Sequence, residues 1–290
     1  MFKIAILGCE NSHADAFLES IIKKGEYPDL EVVGVYSHEA DANARMKEKF
    51  GVYCAESFDE FVGKVDGIMI TARDGDNHYK YAKPYIKFGI PMFIDKPITS
   101  KIEDANALIA DLKANGCRFT GGSTCPHAPV VCKLADDVKS GEYGTVYGGY
   151  LRAPVSMENA YGNFYFYAQH LVEVTLKIFG YFPTSVKTYN NKNVTTATLR
   201  YPEYDVSLEY VDGNYKYVAT VSAEKGFFGG EYPVDGSLYV HELEAFHSLL
   251  IGGEGKTSAD EFISPVYVIN ALYEAIRTGE EVKIERSYFD

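Results

Sequence analysis

Short apolar runs alternate with segments of helical spacing along residues 1–121. Runs such as 31–36 (EVVGVY) and 67–71 (GIMIT) are almost uninterrupted, which is typical of strands covered on both faces. Strands that alternate with helices indicate a parallel sheet. The predicted strands are 3–8, 31–36, 67–71, 91–95 and 118–120, and the predicted helices are 14–24, 40–50, 57–62, 77–88 and 101–114.

Beyond Gly121-Gly122 the segments become longer and alternate apolar with polar residues, which is typical of antiparallel strands. Residues 212–214 (DGN) separate two such segments and are typical of a hairpin turn. The chain is therefore predicted to be α/β, with a doubly wound parallel sheet in residues 1–121 and an α+β domain with a mostly antiparallel sheet in residues 122–290. In the second domain, strands are predicted over 146–152, 185–189, 195–201, 205–211 and 215–223, and helices over 128–140, 167–179, 241–251 and 264–278.

The composition excludes several classes of partner. The formal net charge is −13 and there is no run of Lys and Arg, so the chain is expected to bind neither nucleic acid nor an anionic membrane. No apolar stretch is long enough to span a bilayer. The five cysteines are scattered and form no C-x-x-C pair, which indicates reduced thiols in a cytoplasmic protein.

The turn after the first predicted strand, residues 8–13 (GCENSH), stands where Rossmann-type dinucleotide-binding sheets carry G-x-G-x-x-G. Only Gly8 is present, because Glu10 and His13 replace the second and third glycines. A carboxylate suits the N-terminus of a helix, but it repels a pyrophosphate in the same place. Two interpretations stay open: this is an altered phosphate loop, or Glu10 and Ser12 only cap a helix.

Ser37 and His38 follow the second predicted strand, where an acidic residue usually holds the ribose 2′-hydroxyl of NAD. A serine and a potentially cationic histidine suit a 2′-phosphate better. These residues therefore slightly favour NADP over NAD, with a plain loop as the alternative.

Two further positions carry candidate chemistry. Lys96 follows Asp95 at the carboxyl end of a predicted buried strand, which is the edge of such sheets where ligands bind. His170 lies on a predicted helix with Glu173 on the same face. Histidine is a natural proton acceptor near neutral pH, although a lone helical histidine is more often structural.

Together these features resemble the Gfo/Idh/MocA family (glucose–fructose oxidoreductase, inositol dehydrogenase, MocA). Asp95-Lys96-Pro97 is similar to the E-K-P motif, whose Lys lies in the active site of that family. His170 with Glu173 is similar to the H-x-x-D segment. Further matches are Asn77-His78 before the E-K-P motif, residues 141–144 (GEYG) before the second domain, and residues 242–246 and 271–275 in the two closing helices.

The resemblance implies an NAD(P)-dependent oxidoreductase that acts on a sugar, a polyol or a related hydroxyl or carbonyl compound. Lys96 would hold the reacting oxygen beside the nicotinamide, and His170 would take the hydroxyl proton as hydride leaves the carbon. Glu173 completes the candidate catalytic set, and no resident metal is expected. The candidate cofactor-binding residues are Gly8, Glu10, Asn11, Ser12, His13, Ser37, His38, Thr71, Asn77, His78, Asp95 and Lys96.

Departures from the family pattern leave two alternatives open. Phe166 stands where the family often has an Asp, and Glu10 and Ser37 alter the dinucleotide site. The first alternative is therefore a member that has lost redox activity and binds a small polar ligand. The second is a metal-dependent lyase or hydrolase, with candidate ligands Glu10, His13, His127 and His170.

A homodimer or homotetramer is also expected. Helices on one face of the second sheet would leave its other face, predicted to be rich in Tyr and Val, open to a partner. Residues 161–167 and 227–232 are predicted to be loops that determine the substrate.

Overall fold

The computed structural model describes residues 1–255 and 258–287 and divides the chain into two compact units. Unit 1 comprises Met1–Gly122 and Tyr239–Phe262. Unit 2 comprises Ser123–Leu238 and the chain from Ile263 onward.

Unit 1 contains the predicted parallel sheet. Its strands are β1 (Phe2–Leu7), β2 (Leu30–Tyr36), β3 (Gly67–Ile70), β4 (Met92–Asp95) and β5 (Phe119–Gly122). They pair in the order β2-β1-β3-β4-β5. In central β1, Ile6 pairs with Val35 of β2 and with Met69 of β3, and all three side chains are fully buried. Burial on both faces explains why these runs are uninterrupted in the sequence.

The strand order of unit 1 reverses between β1 and β3, because β2 lies on one side of β1 and β3 on the other. An isolated parallel bridge from Cys54 to Val35 adds one further position beyond β2. Ligands in such sheets bind beyond the carboxyl ends of the strands, at the point of reversal. Gly8 follows β1 and Thr71 follows β3, so both lie at this point.

Four helices connect the strands of unit 1: α1 (Ser12–Leu18), α2 (Ala40–Phe50), α3 (Asp76–Ile86) and α4 (Ile102–Ala114). A π-helical turn over Glu19–Lys23 extends α1. The helix predicted over 57–62 is wrong, because this segment is a series of turns. Its backbone bonds span three residues, as from Val62 N–H to the Asp59 carbonyl (3.1 Å), so the α-helical pattern never begins.

Unit 2 contains the predicted, mostly antiparallel sheet, with the order β11-β10-β6-β9-β8-β7-β12. Helices α5 (Pro129–Ser140) and α6 (Phe164–Phe179) pack against it. Gly149 lets α6 approach closely, since a Cβ there would lie 2.4 Å from Cζ of Phe179. The strands are β6 (Val146–Val155), β7 (Ser185–Asn190), β8 (Val194–Arg200), β9 (Asp205–Asp212), β10 (Tyr217–Ala223), β11 (Gly226–Tyr232) and β12 (Val282–Lys283).

Two local predictions for this sheet are wrong. Residues 212–214 do not form a hairpin, because Arg152 of β6 pairs with Glu209 of β9 on one side and with Val218 of β10 on the other. The segment 227–232, predicted to be a specificity loop, belongs to edge strand β11. Its glycines hid the strand pattern, and a Cβ at Gly229 would lie 2.1 Å from a carbonyl oxygen of β10.

The face of this sheet that was predicted to be rich in Tyr and Val is mostly polar along β8, β9 and β10. Side chains alternate there between buried and more exposed, and the buried set is mainly apolar. Across the β6–β9 pair, Arg152 Nε lies 3.1 Å from Glu209 Oε1. The more exposed set includes Thr196, Thr198, Glu209, Thr220 and Ser222.

The last two helices are α7 (Tyr239–Leu250) and α8 (Ala259–Thr278). Both were predicted to belong to the second domain, but the structure places α7 in unit 1. Leu243 and Phe246 of α7 lie in the same hydrophobic core as Ile4, because the apolar stripe of α7 faces that core. In the described ranges no helix is both long and apolar enough to cross a bilayer.

Candidate functional site

The turn after β1 begins with a glycine that no other residue can replace without strain. Gly8 has φ +88°, and a Cβ there would lie 2.2 Å from the backbone nitrogen of Ala72. Thr71 Oγ1 donates a hydrogen bond to the Gly8 carbonyl (3.0 Å). The loops after β1 and β3 are therefore in direct contact at the point where the strand order reverses.

Replacing Gly8 with Ala is expected to lower the free energy of unfolding by about 2 kcal/mol more than replacing Gly25 with Ala. Both positions have positive φ, but nothing lies within 4 Å of a Cβ at Gly25, so only Gly8 adds an overlap. Urea denaturation of both variants measures the difference. Equal losses would show that the contact with Ala72 relaxes freely.

Glu10 is buried and reaches the end of β2. Its carboxylate accepts hydrogen bonds from Ser37 Oγ (2.6 Å) and from the Arg73 backbone N–H (3.2 Å). Ser37 Oγ in turn accepts a bond from the Glu39 N–H (3.0 Å). A carboxylate therefore stands beside the position where Rossmann-type sheets usually carry an acidic residue, but it comes from the loop after β1.

The alternative that Glu10 and Ser12 only cap a helix is wrong. The N-cap of α1 is Asn11, and no side chain caps the helix there. Asn11 Nδ2 instead donates to Asp95 Oδ2 (2.8 Å) at the end of β4.

His13 points in the opposite direction from Glu10, into a buried acidic group. Its Nδ1 lies 3.2 Å from Asp95 Oδ1 and 3.2 Å from Glu242 Oε2 of α7. Burial raises the pKa of Asp95 to about 6 and lowers the pKa of His13 to about 4. The pKa of Glu242 is also raised by burial, well above its usual value.

Sequence reasoning did not single out Glu242. Its position in the helical repeat could have identified it. Glu242 precedes Phe246 by four residues and Leu249 by seven, which places it on the buried face of α7. An acidic residue in that phase is unusual, since charged side chains are rarely buried without a partner.

The remaining candidates of unit 1 differ in exposure. His78 is fully buried, and its ring nitrogens lie 2.8 Å from the Ala72 carbonyl and 3.2 Å from the Ile98 carbonyl. It therefore braces the loops after β3 and β4 against each other. Lys96 is 4% exposed and precedes the cis peptide bond to Pro97. Asn77 is half-buried, whereas Ser12 and His38 are exposed.

Unit 2 holds His170 through a residue that sequence reasoning missed. Ser123 Oγ lies 2.6 Å from His170 Nδ1 and accepts a bond from the Cys125 N–H (3.1 Å). When Nδ1 carries the ring proton and donates it to Ser123, Nε2 keeps the lone pair of a base. The position of Ser123 in the sequence could have identified it, because it follows Gly121-Gly122 directly, at the end of the last predicted parallel strand.

Glu173 lies on the other side of Ser123. Both of its oxygens accept from the Ser123 N–H at 3.0 Å, and Gln169 Nε2 donates to the same carboxylate. The Glu173 carboxylate therefore holds the backbone of Ser123, and the hydroxyl of Ser123 contacts His170. The Tyr167 ring packs edge-on against the His170 ring with centroids 5.4 Å apart.

Two predictions around α6 and the metal alternative need revision. Residues 164–167, predicted to belong to a loop, form the first turn of α6. Among the described residues, His13, Asp95 and Glu242 come close enough to share a metal ion. This group differs from the predicted set of Glu10, His13, His127 and His170 and has only His13 in common with it.

Comparison with known proteins gives one family match. Residues 2–123 match the Gfo/Idh/MocA model, described as an oxidoreductase family with an NAD-binding Rossmann fold. Comparison with proteins of curated function gives no match.

Solved structures share the fold along nearly the whole chain. A myo-inositol dehydrogenase from Corynebacterium glutamicum is 17% identical, with a TM-score of 0.82 over 99% of this chain and 100% of that chain. A scyllo-inositol dehydrogenase from Lactobacillus casei, solved with NAD(H) and scyllo-inositol, is 16% identical, with a TM-score of 0.84 over 98% of this chain and 99% of that chain. A myo-inositol 2-dehydrogenase from Lactobacillus plantarum is 13% identical, with a TM-score of 0.84 over 98% and 99%. At these identities the likeness establishes the fold.

Proposed function

We propose that this chain, which belongs to the Gfo/Idh/MocA oxidoreductase family through residues 2–123, is an NAD-dependent dehydrogenase of a sugar or polyol. The observation that carries the proposal is this match to an NAD-binding domain, on a sheet whose Gly8 turn lies where the strand order reverses. The inositols bound or named in the similar structures motivate the substrate class.

The residues at this turn suit a dinucleotide. Gly8 keeps the tight turn that the motif requires, and the side chain of Glu10 is drawn aside to Ser37 and Arg73. Thr71 and Asn77, in and after the loop that follows β3, are further cofactor-binding candidates. A bound NAD would supply the hydride-accepting chemistry at this site.

The position of Glu10 argues for NAD in preference to NADP. In the sequence, Ser37 slightly favours NADP because it lacks a carboxylate, and no observation tests that preference directly. In the structure the Glu10 carboxylate lies 2.6 Å from Ser37 Oγ, so a carboxylate stands at the end of β2 after all. A carboxylate accepts hydrogen bonds from ribose hydroxyls and repels a 2′-phosphate.

We propose that His170 accepts the substrate hydroxyl proton at Nε2, with Nδ1 held by Ser123. Glu173 is proposed as a positioning residue, because its carboxylate accepts hydrogen bonds from the Ser123 backbone N–H and from Gln169. Lys96 holds the reacting oxygen with its ammonium group.

Titration of the purified protein with NADH, followed by nicotinamide fluorescence, tests the proposal. We expect saturable binding, together with NAD reduction when myo-inositol or scyllo-inositol is added as the first substrates. Binding without turnover of any polyol would restrict the proposal to its cofactor. If neither NADH nor NADPH binds at millimolar concentration, the chain belongs to the redox-inactive, ligand-binding alternative.

Cellular location and assembly stay predictions. All five cysteines are free thiols, as expected for a cytoplasmic protein. The face of β8, β9 and β10 is mostly polar, and the homodimer or homotetramer stays a prediction.

A further inference from the structure

Three ionisable side chains from separate elements of unit 1 meet in its interior. His13 comes from α1, Asp95 from the end of β4 and Glu242 from α7. They are 3%, 0% and 3% exposed, respectively. The dinucleotide site proposed above gives no role to Glu242, and the hydrophobic core gives no reason for a carboxylate at that position.

The polar atoms at the centre of this group lack hydrogen bonds. Within the described part of the chain, His13 Nδ1 and both carboxylate oxygens of Glu242 are buried and have no hydrogen-bond partner. A buried carboxylate that accepts no hydrogen bond is strongly destabilising. The three atoms are therefore arranged as if their partner were a group that protein atoms do not supply.

The charges of the group favour a cation. Two carboxylates and one imidazole meet at this point. Lys96 is the neighbouring cation that acts on both Asp95 and Glu242. One ammonium does not balance two carboxylates, so a divalent ion would complete the neutralisation.

The distances agree with a tetrahedral metal site. One ligand atom from each of the three residues lies within 4.8 Å of the others, and His13 Nδ1 is 3.2 Å from an oxygen of each carboxylate. Tetrahedral zinc with bonds of 2.0–2.1 Å separates its ligand atoms by about 3.3 Å. A nitrogen ligand with two carboxylates suits Zn²⁺ or Mn²⁺ better than Mg²⁺ or Ca²⁺.

The Asp95 carboxylate is also held in place by groups outside the cluster. Asn11 Nδ2 donates to its Oδ2 (2.8 Å), and the Lys96 backbone N–H donates to its Oδ1 (2.7 Å). Such outer contacts fix the orientation of a metal-binding carboxylate and strengthen the site.

We propose that His13, Asp95 and Glu242 bind one divalent transition-metal ion of the Zn²⁺ type. The ion ties α7 to α1 and to the carboxyl end of β4, so its role is structural. The metal count and the melting temperature are measured without turnover, so failure of this proposal and failure of the proposed dehydrogenase activity are distinguishable.

The test uses the full chain, first dialysed against a chelator and then against buffered Zn²⁺, Mn²⁺ or Mg²⁺. After removal of free ion, mass spectrometry counts the bound metal. We expect one Zn²⁺ per chain, no retained Mg²⁺, and a higher melting temperature for the Zn²⁺ form. Glu242→Gln is expected to weaken Zn²⁺ binding by about 100-fold or more, beyond the 10–100-fold typical of losing an outer contact.

Glu244→Gln is the matched control, because Glu244 is an exposed residue of the same helix, beside His241. It should retain the metal. If Glu242→Gln fails to fold, His13→Asn makes the same comparison. The proposal is overturned if zinc-treated wild-type protein holds no stoichiometric metal, or if Glu242→Gln or His13→Asn folds and binds Zn²⁺ as tightly as Glu244→Gln.

Discussion

Replacing His170 with Asn is expected to lower kcat for polyol oxidation by about 10³-fold and to leave the Kd for NADH nearly unchanged. A positioned general base contributes about 10²–10⁴-fold, and Asn has no titrating nitrogen with which to take the hydroxyl proton. Binding of NADH should persist, because His170 is not among the residues proposed to bind the cofactor. Steady-state kinetics with saturating NAD, together with fluorescence titration, measures both quantities.

Two further variants separate catalysis from fold. His241→Asn removes an exposed histidine of α7 and should leave kcat unchanged. Ser123→Ala keeps the base but removes its 2.6 Å contact, so kcat should fall by about 10-fold and the pH profile should shift. A His170→Asn protein with wild-type kcat would remove His170 from the reaction.

The elements of the fold could be predicted from the sequence because their determinants are local. Residues 40–50 form α2 as predicted, since helical spacing and the following Gly51 (φ +69°) mark its body and its end. The parallel strands have uninterrupted apolar runs because both of their faces are buried. Strand β11 escaped prediction because Gly226, Gly229 and Gly230 carry no side chains to show an alternation.

Pairing between distant segments could not be predicted in the same way. The Asp-Gly turn at residues 212–214 is a local hairpin pattern, but β6 lies between the two strands it joins. Ser123 and His170 are 47 positions apart, and neither reveals the other. The spacing of residues in the sequence predicts which face of a helix or strand a residue occupies. The residue that it contacts depends on tertiary packing, which cannot be deduced from a single sequence.

The two substitutions in the altered glycine motif have separate structural roles. Glu10 and His13 both replace glycines in one loop, and both could be read as damage to a phosphate site. In the structure Glu10 contacts Ser37 at the end of β2, whereas His13 lies in the buried group with Asp95 and Glu242. The first substitution therefore bears on cofactor choice, and the second bears on how α7 is held.

Replacing Glu10 with Gln is expected to lower the preference for NADH over NADPH by about 100-fold. The carboxylate beside Ser37 accepts ribose hydroxyls and repels a 2′-phosphate, and a neutral amide of the same shape loses the repulsion. A change of 100-fold corresponds to about 2.7 kcal/mol, within the cost of bringing like charges together in a partly buried site. Titrations of the variant and of wild type with both cofactors measure the ratio.

Glu39→Gln is the control, because Glu39 lies two residues beyond Ser37 and its backbone N–H, rather than its side chain, contacts the Ser37 hydroxyl. Its ratio should stay within about threefold of wild type, since a screened charge outside the site acts weakly. A larger effect at Glu39 than at Glu10 would assign the ribose to Glu39. If Glu10→Gln instead tightens both cofactors equally, Glu10 obstructs the dinucleotide, because a blocking side chain does not distinguish a hydroxyl from a phosphate.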